Sequence, residues 1–138
     1  MNSKRVAGLF VVCLSMLGLQ VAISEVHAAS GTIAGTVFND KNSNGVNDGT
    51  DVGVSGVVVT AYDNTGSQVG SATTISNGTY SLSIASSATS DIRVEFTTPN
   101  GYQPSFQGVG NGTSIQFVSV PASNVNFGII IPGNFCQD

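Results

Sequence analysis

The stretch Asp40-Lys41-Asn42-Ser43-Asn44-Gly45-Val46-Asn47-Asp48-Gly49-Thr50-Asp51 has the residue types and spacing to do chemistry. It places three carboxylates in twelve residues beside a single lysine, so the acids repel one another unless a cation neutralises them. A hard cation such as Ca2+ takes six to eight oxygen ligands, and a twelve-residue loop can supply them from positions 1, 3, 5, 7, 9 and 12, with glycine at 6 for the sharp turn. Asp40, Asn42 and Asn44 would give side-chain oxygens, Gly45 the turn and Val46 its carbonyl. Asp48 would make a direct or water-bridged contact, and Asp51 would close the ring. Asp51 stands where a longer glutamate is usual, which makes bidentate closure harder and points to the weak affinities of extracellular modules, ~10⁻⁴ to 10⁻³ M. Mg2+ is a poorer match, because it keeps its waters and a rigid octahedron. The competing reading is a run of Asx-turns, which these residue types favour without any metal.

Little else in the chain can carry catalysis. Met1 to Arg5 is basic, Val6 to Ile23 is apolar, and Ser24 to Ala29 ends in small residues. This is the three-part pattern of a secretory signal peptide, with cleavage expected after Ala28. A retained membrane anchor is the alternative, and a lipoprotein reading fails because Cys13 lies inside the apolar run. The expected organisation is a signal peptide over 1–28, a domain over 29–131 and a short polar tail over 132–138. Without the leader the chain keeps no histidine and one cysteine, Cys136. The usual general base is therefore missing, and Cys136 has no partner to make it a thiolate. A lone cysteine in an exported chain instead points to a free thiol or an intermolecular disulfide. A glycosidase-type carboxylate pair would need a cleft with aromatic walls, for which a short chain with no Trp has few means. We expect no enzyme.

Charge excludes further classes. Only 9% of residues are charged and the net charge is -4; with the leader removed, Lys41 and Arg93 face seven acids, a net of -5. A nucleic-acid partner needs a basic footprint that is absent here, and an anionic membrane surface is disfavoured for the same reason.

The elements that must hold the loop have a period of two. Tyr80-Ser81-Leu82-Ser83-Ile84 and Ile92-Arg93-Val94-Glu95-Phe96 alternate large apolar with polar residues, as a strand with one buried face requires. Ile33 to Phe38, Val57 to Tyr62, Ile115 to Val120 and Val125 to Ile131 are rich in β-branched and aromatic residues, and Gln68 to Thr74 is a weaker strand. Asn64-Thr65-Gly66, Asn77-Gly78, Pro99-Asn100-Gly101 and Gly110-Asn111-Gly112 supply the turns. The Asn-Gly-Thr sequons at Asn77 and Asn111 are read as turns too. No segment has a helical period. About seven short strands with regular turns predict an all-β chain, an antiparallel Greek-key β-sandwich, with the acidic loop between its first two strands. A structureless connection of that length is uncommon unless it is functional.

The segment after the loop discriminates among calcium-loop folds. Val52-Gly53-Val54-Ser55-Gly56-Val57-Val58-Val59 has two glycines and a β-branched run, a strand entry where an EF-hand or dockerin places a helix. Nor does the loop pattern repeat, as a dockerin would require.

Gly35-Thr36-Val37-Phe38, DKNSNGVNDGTD, VGVSGVVVTAYD and SNGTYSLSI, taken in order, resemble the SdrD B-like domain, the calcium-binding B-type domain of serine-aspartate repeat surface proteins. The resemblance runs from about Ser30 to Ile131. It implies a prealbumin-like sandwich that acts as a rigid, calcium-stabilised module of bacterial surface or secreted proteins, usually in multidomain chains. The family's ligand positions fall on Asp40, Asn42, Asn44, Val46, Asp48 and Asp51, and Tyr80 matches a Gly-x-Tyr motif in which it packs in the core. The Lys-Asn crosslink of related collagen-adhesin domains is not expected, since Ile33 to Phe38 contains no lysine. No sorting motif follows Ile131, so wall attachment is not carried over, and the chain could be the first piece of a longer surface protein. Neighbouring surface modules and extracellular matrix or host proteins are the implied partners. A carbohydrate-binding sandwich is the alternative: Tyr102 and Phe106 could form a stacking platform, or could simply cover the end of the sandwich.

Overall fold

Alternation along the chain becomes two facing layers of strand. The computed structural model describes residues 31–84, 91–106 and 112–133; the leader, Cys136 and most of the polar tail lie outside them. Its strands are β1 (Gly31–Asn39), β2 (Val52–Gly53), β3 (Val58–Tyr62), β4 (Gln68–Thr73), β5 (Thr79–Ile84), β6 (Ile92–Phe96), β7 (Gln103–Pro104), β8 (Ile115–Val118) and β9 (Phe127–Ile130). Each of the seven predicted strands is present. The two additions, β2 and β7, are only two residues long, too short to leave a period in the sequence.

One sheet runs β2-β1-β9-β7 with β5 also paired to β1, and the other runs β4-β3-β6-β8. The nine-residue β1 is the hub of the first sheet. Gly31 to Thr36 pair with β5, Phe38 and Asn39 with β2, and Val37 to Asn39 with β9. The β1–β9 ladder is parallel, a departure from the all-antiparallel expectation. Phe127, Gly128 and Ile129 are all buried, the near-continuous burial of an interior strand rather than the alternation of a half-solvated one.

Ile33, Val37, Tyr80, Leu82, Phe127 and Ile129 from the first sheet meet Val59, Ala61, Ile92, Val94 and Phe96 from the second. Burying each large aliphatic side chain contributes about 1.5–3 kcal/mol. Phe96 joins the layers: its ring stacks on Phe127 at 4.9 Å and meets the edge of Tyr80 at 5.8 Å. Tyr80 is buried as expected, and its hydroxyl donates to the Val125 carbonyl at 2.7 Å. Burial pushes its ionisation up, so it stays a neutral donor at any ordinary pH. Removing that donor leaves the buried Val125 carbonyl short of a partner. Tyr80→Phe is therefore expected to cost about 1–2 kcal/mol in urea unfolding with an unchanged m-value; wild-type stability would contradict this role for the hydroxyl.

Candidate metal centre

The acidic loop leaves the sandwich where β1 ends and re-enters it at β2, so both of its ends are anchored in one sheet. Its first acid is drawn inward. The Asp40 backbone N–H continues the ladder by donating to the Ile129 carbonyl at 2.9 Å, and the residue is fully buried. Asp40 Oδ1 accepts the Asn44 N–H at 3.1 Å. Its Oδ2 accepts the Gly45 N–H at 2.8 Å and also the hydroxyl of Ser105. The chain can turn back on this carboxylate because Ser43 and Gly45 take left-handed conformations, with φ of 55° and 73°.

The other ligand candidates are brought around the same turn. Asn42 Oδ1 accepts the Asn44 N–H at 3.2 Å and Asn44 Oδ1 the Val46 N–H at 2.8 Å, so Asx-turns do shape the loop. The amide nitrogens of Asn42 and Asn44 both donate to Asp48 Oδ2, at 2.9 and 3.1 Å. Asp48 Oδ1 accepts the N–H and hydroxyl of Thr50 at 3.1 and 2.8 Å. Asp51 closes the ring: its Oδ1 accepts the Lys41 N–H and its Oδ2 the Asp48 N–H, each at 3.1 Å. The Val46 side chain points to solvent. The described residues gather no group of three among His, Cys, Asp and Glu that could hold a metal; the Asn42 and Asn44 amides lie against Asp48.

Electrostatically the loop is anionic, and among the described residues it makes no ion pair. Arg93–Glu95 on β6 is the salt bridge among the described residues, and among them the buried Asp40 carboxylate is met by N–H and O–H donors. Such a charge is costly without a cation. The donor set contains oxygen alone, as a hard cation requires. Asp40 Oδ1 and both oxygens of Asp51 each accept one hydrogen bond, which leaves each a lone pair. Carboxylate and amide oxygens are the donor type that a Ca2+ ion takes.

The Asp48 carboxyl is held down to about 2 by the Thr50 N–H, then by the Thr50 hydroxyl and the Asn42 and Asn44 amides. A depressed folded-state pKa contributes stability that is present above the unfolded value near 3.8 and lost as pH falls through about 2. An acid titration without metal is expected to show stability falling across this window, and Asp48→Asn is expected to flatten it. An unchanged slope in the variant would show that other acids carry the effect.

Two contributors to the loop escaped the sequence, Thr50 and Ser105, and a third, Phe106, is read there only as a stacking or covering residue. Thr50 holds Asp48, Ser105 holds Asp40, and the Phe106 ring lies against Gly45, where an added Cβ would come within 1.7 Å of it. Only Thr50, two residues from its acid, left a local ST-turn signal. Among the described residues, Tyr102 and Phe106 border different clefts. Tyr102 packs against the core and lines a cleft with Asn39, Val52 and Pro99, whereas Phe106 lines another with Gly45, Gln116 and Asn126.

A two-layer all-β sandwich with an oxygen-rich loop between its first strands defines a small β module. Residues 31–126 match the family model of the SdrD B-like domain, and the chain belongs to that family. It is similar to serine-aspartate repeat-containing protein F of Staphylococcus epidermidis, 39% identical over 75 residues, which is 54% of this chain and 4% of that protein. It is also similar to serine-aspartate repeat-containing protein D of Staphylococcus aureus strain Newman, 40% identical over 77 residues, 56% of this chain and 6% of that protein. The chain thus spans only a small part of the length of the curated relatives it matches.

Proposed function

We propose that this chain is a calcium-stabilised, non-catalytic structural module of an exported, cell-surface or secreted protein. The observation that carries the reading is the fully buried Asp40 carboxylate at the head of a twelve-residue oxygen-donor loop that sets three acids against one lysine. Asp40, Asn42, Asn44, the Val46 carbonyl, Asp48 and Asp51 would hold the ion. Bound Ca2+ would supply the missing positive charge, while the chain's own residues tie the end of β1 to the start of β2. A sandwich so tied resists local opening, which matters for a protein exposed to proteases. Export rests on the leader pattern, and the surface setting on the kinship to serine-aspartate repeat-containing proteins. Adjoining surface modules and matrix or host proteins are the partners that setting offers, and Cys136 could add an intermolecular disulfide. Carbohydrate binding has less support, because Tyr102 and Phe106 line separate clefts.

Calorimetric melting of the chain without its leader, in ~10 mM Ca2+, in Mg2+ and in chelator, tests the reading. With a dissociation constant of ~10⁻⁴ to 10⁻³ M, 10 mM Ca2+ stabilises the fold by about 1.4–2.7 kcal/mol. For a domain of this size that raises the melting temperature by roughly 5–20 °C. Equal melting temperatures in Ca2+ and chelator would sink the proposal.

A further inference from the structure

We propose that Ser105 and Phe106 form a clasp across the loop, making calcium binding and closure of the β7–β9 edge one coupled event; this rests on the calcium reading above. Ser105 follows β7 and is fastened at both ends. Its backbone N–H donates to the Gly128 carbonyl of β9 at 2.8 Å, and its hydroxyl donates to Asp40 Oδ2. The next carbonyl of β9, Ile129, accepts the Asp40 N–H at 2.9 Å. Two successive residues of one strand therefore seat both the first candidate ligand and the group that orients it. Ser105 sits so close to β9 that a Cβ on Gly128 would lie 3.3 Å from its own Cβ.

The chemistry follows from which oxygen is engaged. Among the described residues, Asp40 Oδ2 takes the Gly45 N–H and the Ser105 hydroxyl, whereas Oδ1 takes the Asn44 N–H. The hydroxyl thereby fixes the carboxylate plane and leaves Oδ1 as the face available to the ion. Phe106 acts at the neighbouring point. Its ring fills the space over Gly45 that a side chain would occupy, beside the residue whose N–H holds Oδ2. Both are positioning residues. Partners that orient a ligating side chain typically change metal affinity by 10–100-fold. Coupling is reciprocal, so whatever Ser105 adds to calcium affinity, calcium must return to the seating of Ser105.

The test pairs calcium titration calorimetry with amide exchange of the leaderless chain. Ser105→Ala is expected to weaken calcium binding about tenfold, Phe106→Ala to weaken it in the same direction, and Ser105→Thr, which keeps the hydroxyl, to restore it. Phe117→Ala, an exposed change on β8, is expected to bind as wild type. Calcium is expected to slow exchange of the Ser105 amide in wild type and in Ser105→Thr, but not in Ser105→Ala. Calcium binding by wild type with equal affinity in Ser105→Ala, or with no slowing at the Ser105 amide, overturns the clasp alone. No calcium binding by wild type overturns the loop reading and the clasp together.

Discussion

Asp40→Ala is expected to destabilise the protein by about 3 kcal/mol in chelator and to abolish the gain in melting temperature on adding Ca2+. The first effect needs no metal. Asp40 is fully buried, and its carboxylate accepts the Asn44 and Gly45 N–H groups and the Ser105 hydroxyl. Truncation strands these donors, at about 1–3 kcal/mol for each that finds no water, and opens a void besides. Asp40→Asn separates structure from metal binding. The amide keeps one acceptor oxygen and the volume of the side chain but removes the buried charge. In chelator its cost is expected to be smaller than that of alanine, since an uncompensated charge is itself unfavourable. Its calcium response should nonetheless vanish, because position 1 has lost its anionic ligand. Paired melts of wild type, Asp40→Asn and Asp40→Ala, with and without Ca2+, read both quantities. A full calcium response in Asp40→Asn would remove Asp40 from the ligand set.

Gly78→Ala is expected to be as damaging, through the backbone. Gly78 closes the turn before β5 at φ 78°, where any Cβ costs about 1 kcal/mol. Close approach costs more. A Cβ would sit 2.2 Å from the Val37 carbonyl oxygen, 2.6 Å from Gly53 Cα and 2.7 Å from Val54 N. These atoms cannot move independently: Val37 donates to the Gly78 carbonyl at 2.9 Å and accepts from Val54 at 2.8 Å. Relieving the clash means displacing β2, and with it the exit of the acidic loop, at a total cost of about 3 kcal/mol or more. Gly66 is the control. It has φ 83° and open space where a Cβ would stand, so Gly66→Ala should lose only about 1 kcal/mol. Equal losses in urea unfolding would show that conformation, not packing, sets the requirement at Gly78. Gly78→Ala is also expected to weaken calcium binding, because β2 carries Val52, the residue after Asp51.

Local chemistry made much of this legible in advance. Tyr80, Leu82 and Ile84 alternate with Ser81 and Ser83, and Ile92, Val94 and Phe96 with Arg93 and Glu95; the structure buries the first set of each and leaves the second on the outer faces. The turn at Asn77-Gly78 and the strand entry after Asp51 were readable for the same reason, since a turn or a pleat is decided by residues adjacent in sequence. The loop's internal hydrogen bonds likewise join residues two to ten apart, from Asn42–Asn44 to Lys41–Asp51.

Tertiary structure decided the rest. That Asp40 is buried while Asp48 and Asp51 stay near the surface depends on β9, whose Ile129 carbonyl takes the Asp40 N–H, and on Ser105, 65 positions along the chain. The parallel pairing of β1 with β9 and the packing of Phe106 over Gly45 depend on contacts of the same range. Residue type and period determine which face of a strand is apolar and which loop is rich in oxygen donors. They carry no information about which distant strand will lie alongside, and that neighbour is what turns one of three acids into a buried, oriented carboxylate.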